Sequence, residues 1–299
     1  MSQTAVAASE TGLPLKELAK RTGLASAGRL PGPMEYLRDL WSYRHFIGAF
    51  ARAKTVAAFG ETRLGMIWQV LTPLFNAGVY YVIFGIIIDT RRSQANFITY
   101  LCIGVFLFGF TQASVQNGVQ AVTSNLGLIR ALHFPRACLP IAITLIEIRN
   151  MIASMTVLLA IVLISGEPVT WTFLLLIPLF ATQSVFNAGL ALFFARFGTK
   201  VHDIKQLIPF VMRFWMYGSA VIYPVTNFTH RFHGWKIDVI KANPLLVFIE
   251  LGRHALMKKD VKLVGPPLHL WIEAIVWMLI AIVGGFLYFR RGEKGYGRG

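Results

Sequence analysis

Charged side chains inside apolar stretches are the residues best placed to do chemistry in this sequence. Glu147, Arg149 and Asn150 fall in one such stretch, and Arg213 falls near the middle of another. Charged groups are costly in lipid, so each needs a partner or a function. The first three residues favour a structural role, either an ion pair between helices or an arginine that reaches the inner surface. For Arg213, a polar path through the membrane and a structural role both stay open.

Aromatic and polar residues also recur at helical spacing on two apolar stretches. The residues of these two faces are Asn76, Tyr80 and Phe84 in one stretch and Phe210, Phe214 and Tyr217 in the other. Such faces suit sugars, because rings stack on sugar C–H groups while amides and hydroxyls bond to sugar hydroxyls. The alternatives are ordinary helix packing and an aromatic belt at the membrane surface.

A short amphipathic segment, residues 124–140, lies between two long apolar stretches and is called the knob below. Asn125 can cap a helix, and Pro135 can end one because proline cannot continue the hydrogen-bond ladder. Arg130, His133 and Arg136 give the knob positive charge. It is interpreted as a rigid cytoplasmic surface against which a partner presses. A plain connecting loop is the alternative.

The composition is that of an integral membrane protein. Of 299 residues, 55% are hydrophobic and 14% are charged, whereas soluble domains carry about 25% charged residues. All backbone groups must pair inside the bilayer, so the prediction is an all-α fold with six transmembrane helices. The predicted spans are 66–88, 97–119, 139–164, 172–195, 206–223 and 269–289.

The net charge of +15 is interpreted as membrane topology, not as a nucleic-acid site. If both termini are cytoplasmic, 18 of the 29 Lys and Arg residues fall on inner segments. The sequence therefore predicts a multi-pass membrane protein with both termini on the inner side.

Three further segments surround the spans. Residues 1–33 are predicted to be a tail, residues 34–62 an amphipathic interfacial helix, and residues 63–299 the transmembrane domain. The helix has an apolar stripe that can lie in the headgroup layer or against another protein. The stripe consists of Tyr36, Leu40, Tyr43, Ile47 and Phe50. Between spans five and six, Asn243-Pro244 predicts a helix start in a segment that either re-enters the membrane or caps it outside.

No enzymatic site is predicted. The 14 acidic residues are scattered, with no metal-binding or two-carboxylate pattern. Gly23 and Gly28 have the spacing of a phosphate-binding loop but lack the following Lys and Ser or Thr. Cys102 and Cys138 are expected at different depths, so no disulfide is predicted.

A series of short motifs carries a family resemblance. They are Leu64-Gly65-Met66-Ile67-Trp68, Thr72-Pro73-Leu74, Phe134-Pro135-Arg136, Leu139-Pro140, Asp203-Ile204, Ser219-Ala220-Val221-Ile222-Tyr223-Pro224, Asn243-Pro244-Leu245 and Arg253. In this order, the chain from about Met34 to its tail resembles the ABC-2 type permeases that export polysaccharides and their lipid-linked precursors. Ala53 and Ala220 depart from the family pattern, which leaves the cargo subtype open.

The resemblance implies a homodimer around a central channel, with re-entrant outer helices between spans five and six. It implies two copies of an ATP-binding partner subunit that holds ATP and magnesium, so that this chain needs no cofactor. The knob becomes the coupling helix that docks into this partner. Its candidate contact residues are Asn125, Leu128, Ile129, Arg130, His133, Phe134, Pro135 and Arg136. The candidate channel-lining residues are Asn76, Tyr80, Phe84, Phe210, Arg213, Phe214 and Tyr217.

The leading hypothesis is therefore the permease subunit of an ATP-driven exporter of lipid-linked glycan, with cell-wall galactan favoured and O-antigen or teichoic acid open. One alternative is a proton-coupled transporter that uses Glu147 and Arg213. The other is a membrane-embedded glycosyl or phosphoalcohol transferase, which would need clustered aspartates that the sequence lacks.

Overall fold

The computed structural model describes residues 32–60, 67–87, 96–201, 203–225, 235, 240–257, 263 and 265–296. These residues form helices and connecting turns, and no strand occurs among them. The chain divides into two units, residues 1–41 and 42–299. Most of the predicted tail lies outside the described residues, as do Gly23 and Gly28.

The α-helices are numbered here in chain order. They are α1 (Pro33–Ser42), α2 (Arg44–Gly60), α3 (Ile67–Tyr80), α4 (Phe97–Gln120), α5 (Leu126–Ala131), α6 (Cys138–Ile164), α7 (Leu176–Lys200), α8 (Ile204–Gly218), α9 (Pro244–Leu256) and α10 (Pro267–Arg291). A π-helical segment, Tyr81–Ile87, continues α3, and a 3₁₀ segment, Trp171–Leu175, precedes α7.

Within the described residues, four helical segments are long and apolar enough to cross a membrane. They are Phe97–Gln120, Cys138–Ile164, Trp171–Lys200 and Pro267–Arg291. Each coincides with a predicted span, so the multi-pass, all-helical class is confirmed. The first and fifth predicted spans are also helical, but α8 has only 15 residues and the apolar helix in the first covers Leu74–Ile87. The total of six spans therefore stays a prediction.

The predicted interfacial helix is not continuous. It ends at Ser42 and starts again at Arg44, although the carbonyl of Tyr43 accepts the first hydrogen bond of α2 from the amide of Ile47 (3.0 Å). The hydroxyl of Tyr43 donates to the carbonyl of His133 in the knob (3.2 Å). The break therefore lies where a long-range contact holds this side chain, which helical periodicity could not indicate.

The part of the apolar stripe that belongs to the second unit packs against α6. Ile47 is buried, and Tyr43 and Phe50 are half-buried where α2 packs on α6. In α1, Tyr36 is buried and Leu40 is half-buried. The burial of Tyr43, Ile47 and Phe50 favours packing against protein for this part of the stripe, and the position of the helix in the headgroup layer stays a prediction. Exposed apolar side chains lie elsewhere, at Trp41 and Val56.

Helix α4 lies at the centre of the second unit and packs against α3, α6, α7, α8 and α9. A helix that is apolar and buried on most sides is typical of a core element in a membrane bundle. Cys102 within it and Cys138 at the start of α6 are buried free thiols.

Helices α7 and α10 approach each other closely through small residues. A Cβ atom at Gly285 would lie 2.1 Å from the carbonyl oxygen of Gly189, and one at Gly189 would lie 2.3 Å from the backbone of Ala281. Contacts of this kind let two backbones meet without side chains between them, which favours helix association in lipid.

The predicted helix start at Asn243-Pro244 is confirmed, because α9 begins at Pro244. The side-chain oxygen of Asn243 caps the helix by accepting from the amide of Leu245 (3.1 Å) and also accepts from the indole of Trp215 (2.9 Å). Its amide group donates to the carbonyl of Gly218 (3.1 Å) and to Ser219 Oγ (3.0 Å). One side chain thus joins the end of α8 to the start of α9.

Candidate functional site

The knob is a short helix between two turns. After α4 comes a 3₁₀ turn, Thr123–Asn125, followed by α5, and Leu132 is already extended. The predicted cap at Asn125 is wrong. Its side-chain amide donates to the carbonyl of Ala121 (2.7 Å), because it satisfies the end of α4 and not the start of α5.

Pro135 does not end the knob helix, which stops at Ala131. Its carbonyl instead accepts from the amide of Cys138 (3.0 Å), the first residue of α6. Proline therefore lies at the entry to α6, where its fixed φ fits the turn into the helix.

The knob is held in place from two sides. The ring of Phe134, which is buried, lies 5.0 Å from the ring of Phe46 on α2, next to the hydrogen bond between Tyr43 and His133. On the other side, the backbone amide of Arg136 donates to the buried carboxylate of Glu293 in the C-terminal tail (3.1 Å). The knob is therefore fixed to the interfacial helix and to the C-terminal segment that contains Glu293, as well as to the two helices that it connects.

The predicted contact residues of the knob divide into two groups. Asn125, Ile129 and Phe134 are buried anchors, and Leu128, Pro135 and Arg136 are half-buried. Only Arg130 and His133 are exposed. The surface that the knob offers to a partner therefore combines two basic residues with the exposed apolar side chain of Leu132, while the buried apolar residues hold the knob to the rest of the chain.

A polar cavity of about 410 Å³ lies between α3, α4, α6 and α8. Its polar lining residues are Thr72, Asn76, Tyr80, Gln112, Gln116, Glu147, Asn150, Ser154 and Arg213. Phe106, Phe108 and Phe110 supply aromatic wall. Cavities of about 300–1,000 Å³ hold drug-sized ligands, so the size and the mixed lining suit a small polar group with an apolar part.

The carboxylate of Glu147 is bound by two asparagines. Asn117 on α4 donates to one oxygen (2.7 Å), and Asn150, one turn along α6, donates to the other (3.1 Å). The predicted shared face of Glu147 and Asn150 is confirmed. Of the two structural roles expected for these residues, the ion pair does not occur among the described residues, because amides satisfy the carboxylate, whereas the exposed position of Arg149 is compatible with an arginine that reaches the surface.

The candidate channel residues occupy different surroundings. Asn76, Tyr80 and Arg213 line the cavity, and the hydroxyl of Tyr80 lies 3.5 Å from the sulfur of Met216. The remaining candidates do not line it: Phe84 packs against the core, while Phe210, Phe214 and Tyr217 are exposed on α8. The cavity therefore gathers the polar members of the predicted set, and α8 presents the aromatic members outward.

A buried arginine cluster escaped prediction as a site. The guanidinium of Arg253 on α9 pairs with Glu250 (3.0 Å) and donates to the carbonyls of Ala220 (3.0 Å) and Val221 (2.9 Å). It also lies 3.3 Å from the ring centroid of Tyr100 on α4. Ala220 has a positive φ of 49°, a conformation that costs an alanine energy and that these bonds help to hold.

Comparison with known proteins identifies the family. The profile of the ABC-2 type transporter family matches residues 46–257, which include the knob, the cavity and the Arg253 cluster. The O-antigen export system permease protein RfbA of Myxococcus xanthus is 22% identical over 191 residues, 64% of this chain and 73% of that protein. RfbA of Klebsiella pneumoniae is 24% identical over 200 residues, 67% and 75% of the two chains.

A relative with a different named cargo covers a similar share. The polysialic acid transport protein KpsM of Escherichia coli is 26% identical over 201 residues, 67% of this chain and 76% of that protein. These relatives are transport permeases, and the family match extends over more than half of the chain. The chain is a multi-pass membrane protein that belongs to the ABC-2 type transporter family.

Proposed function

We propose that this chain is the transmembrane permease of an ATP-driven exporter of lipid-linked polysaccharide. Two copies work with two copies of a separate ATP-binding subunit in the plasma membrane, with six spans per copy and both termini cytoplasmic. The names of the relatives, which refer to O-antigen and polysialic acid, support a polysaccharide cargo. Within that class we propose cell-wall galactan, on overall likeness in sequence.

The observation that carries this proposal is the way the knob is held. It joins α4 directly to α6, is fixed to α2 and to the C-terminal segment that contains Glu293, and exposes Arg130 and His133. A surface so held transmits a push from a partner into the helices that line the cavity. ATP binding in the partner then selects between two arrangements of these helices, and the permease itself performs no covalent chemistry.

The test uses the chain purified from its native membrane together with its ATP-binding partner. Arg130→Glu with His133→Glu reverses or removes the basic surface of the knob without touching its buried anchors. Arg52→Glu, which changes an exposed arginine on α2, is the matched control. We expect the double variant to lose partner binding or ATPase stimulation at least tenfold, with the control unchanged. Wild-type ATPase activity and export in the double variant would refute the role of the knob.

Cargo and energy source are tested in proteoliposomes. Lipid-linked galactan is compared with lipid-linked O-antigen, with and without ATP and with a proton ionophore. We expect ATP-dependent transport that survives the ionophore and is faster for galactan. Transport without any ATP-binding subunit that stops with the ionophore would favour the proton-coupled alternative.

A further inference from the structure

Arg213 lies within the fifth predicted span, which is an unusual place for a cation. It is the tenth residue of α8, so at about 1.5 Å per residue it stands roughly 13 Å along the helix axis from its start. It is exposed at the wall of the polar cavity. An arginine in such a place is retained where it has a counter-ion or a ligand.

No described residue supplies that counter-ion. Arg213 has neither an ion pair nor a hydrogen bond with any residue in the described part of the chain. Glu147, the carboxylate of the same cavity, has both oxygens occupied by Asn117 and Asn150. The guanidinium, which has five donors and no acceptor, thus faces the cavity with its hydrogen-bonding capacity unused.

The surroundings of Arg213 suggest a ligand with two parts. Asn76, Gln112 and Gln116 line the cavity, and their amide groups have no hydrogen-bond partner among the described residues. On the other side of Arg213, Phe210 and Phe214 on the same helix are 61% and 80% exposed. The cavity can therefore accommodate the polar part of a ligand, and the outer face of α8 can accommodate its apolar chain. The cation of Arg213 lies between the two.

We propose that Arg213 is the oxyanion-binding residue of a site for a lipid-attached phosphate. The planar guanidinium binds phosphate through two parallel hydrogen bonds, which a neutral amide cannot do. The polar group beyond the phosphate enters the cavity against Gln112 and Gln116, and the lipid chain follows Phe210 and Phe214. The identification of this lipid with the exported cargo rests on the proposed function, whereas the phosphate site does not.

The experiment measures binding to the purified full chain in a neutral detergent by calorimetry, without ATP. The probes are farnesyl diphosphate, farnesol and inorganic diphosphate. Arg213→Gln removes the cation. Arg149→Gln makes the same change on α6 at an exposed arginine outside the cavity. We expect Arg213→Gln to weaken farnesyl diphosphate binding about tenfold to one-hundredfold. Arg149→Gln should bind as wild type, and farnesol should not respond to either change.

Three results would reject a phosphate site at Arg213. They are equal binding of farnesyl diphosphate by wild type and Arg213→Gln, an equal loss in Arg149→Gln, or no binding to wild type. If inorganic diphosphate binds as tightly as farnesyl diphosphate, and this binding is also weakened in Arg213→Gln, the ligand of the site is a soluble anion and the proposed lipid-attached ligand is rejected. If Arg213→Gln does not fold, Arg213→Lys keeps the charge without the planar fork, and we expect intermediate affinity.

The binding result is separable from the proposed function. Binding that depends on Arg213 in a chain that captures no ATP-binding subunit would reject the exporter and keep the phosphate site. If instead the complex exports with ATP and Arg213→Gln binds farnesyl diphosphate as tightly as wild type, the phosphate site is rejected and the exporter is kept.

Discussion

Replacement of Arg253 by methionine tests whether the buried cluster holds α9 to the rest of the bundle. Methionine fills much of the same volume but has no donors. The carbonyls of Ala220 and Val221 then lose contacts of 3.0 and 2.9 Å, and the carboxylate of Glu250 loses its arginine. Because Arg253 and Glu250 are 0% and 2% exposed, water does not replace these bonds.

The expected magnitude follows from this burial. Removal of one partner of a buried ion pair lowers the free energy of unfolding by about 3–5 kcal/mol. That is about two to four orders of magnitude in the ratio of folded to unfolded protein. If Glu250→Leu is added to Arg253→Met, both charges are gone, and we expect the double variant to be more stable than the single one.

The assay is equilibrium unfolding of the full chain in mixed micelles with increasing SDS, followed by tryptophan fluorescence. Arg253→Lys serves as a control that keeps the charge, and it should fall between wild type and Arg253→Met because an ammonium group cannot reach all three acceptors. A loss below about 1 kcal/mol in Arg253→Met, or a double variant less stable than it, would refute the reasoning.

Three further outcomes are expected. Gly285→Ala should destabilise the chain by about 1–3 kcal/mol, because its new Cβ meets the backbone of α7; Gly284→Ala, with open space around it, should not, and equal unfolding midpoints would contradict this. Glu293→Ala should slow the proposed ATP-driven export more than it reduces binding of the proposed ATP-binding subunit, because the knob loses a hydrogen-bond acceptor, whereas Glu293→Gln keeps one and should export normally. Burial raises the pKa of the Tyr296 phenol, so its stabilising effect is complete below the unfolded pKa of about 10 and is lost as pH rises above it. Thermal melts from pH 9 to 11 should therefore fall less steeply for Tyr296→Phe, and parallel curves would show that the phenol plays no part.

The long helices are predictable because their signal is length and apolarity. The ends of α4, α6 and α10 lie within two residues of the predicted bounds, since nothing but lipid or core suits such stretches. The start of α9 is predictable for a different reason. Asn243 and Pro244 form a local cap whose chemistry does not depend on distant residues.

The errors concern side chains whose partners are distant or ambiguous in sequence. The predicted cap at Asn125 is wrong because an asparagine can do either of two things. Its side-chain amide can donate to a carbonyl at the end of one helix, or its oxygen can accept from an amide at the start of the next, and here it does the former. The break at Tyr43 accompanies a bond to a residue 90 positions away. Patterns of three and four residues carry no information at that range.

The candidate site was only partly predictable, because some of its residues are conspicuous in sequence and others are brought together only by the fold. Arg213 stood out because a charge in an apolar stretch is visible in sequence, and Asn76 and Tyr80 stood out by spacing. Gln112 and Gln116 did not, because glutamines near the end of an apolar helix are unremarkable until three other helices surround them. Arg253 was visible only as a family motif, because its burial depends on α4 and on the turn at Ala220.

The four hydrogen bonds of Asn243 connect the end of α8 rigidly to the start of α9. Arg213 lies about one and a half turns before the end of α8. A ligand that tilts α8 at Arg213 must therefore turn α9 with it or break bonds that a single asparagine makes. Spin labels on α8 and α9 should therefore keep a fixed separation while the proposed ATP-binding subunit hydrolyses ATP, and that separation should change only in Asn243→Ala.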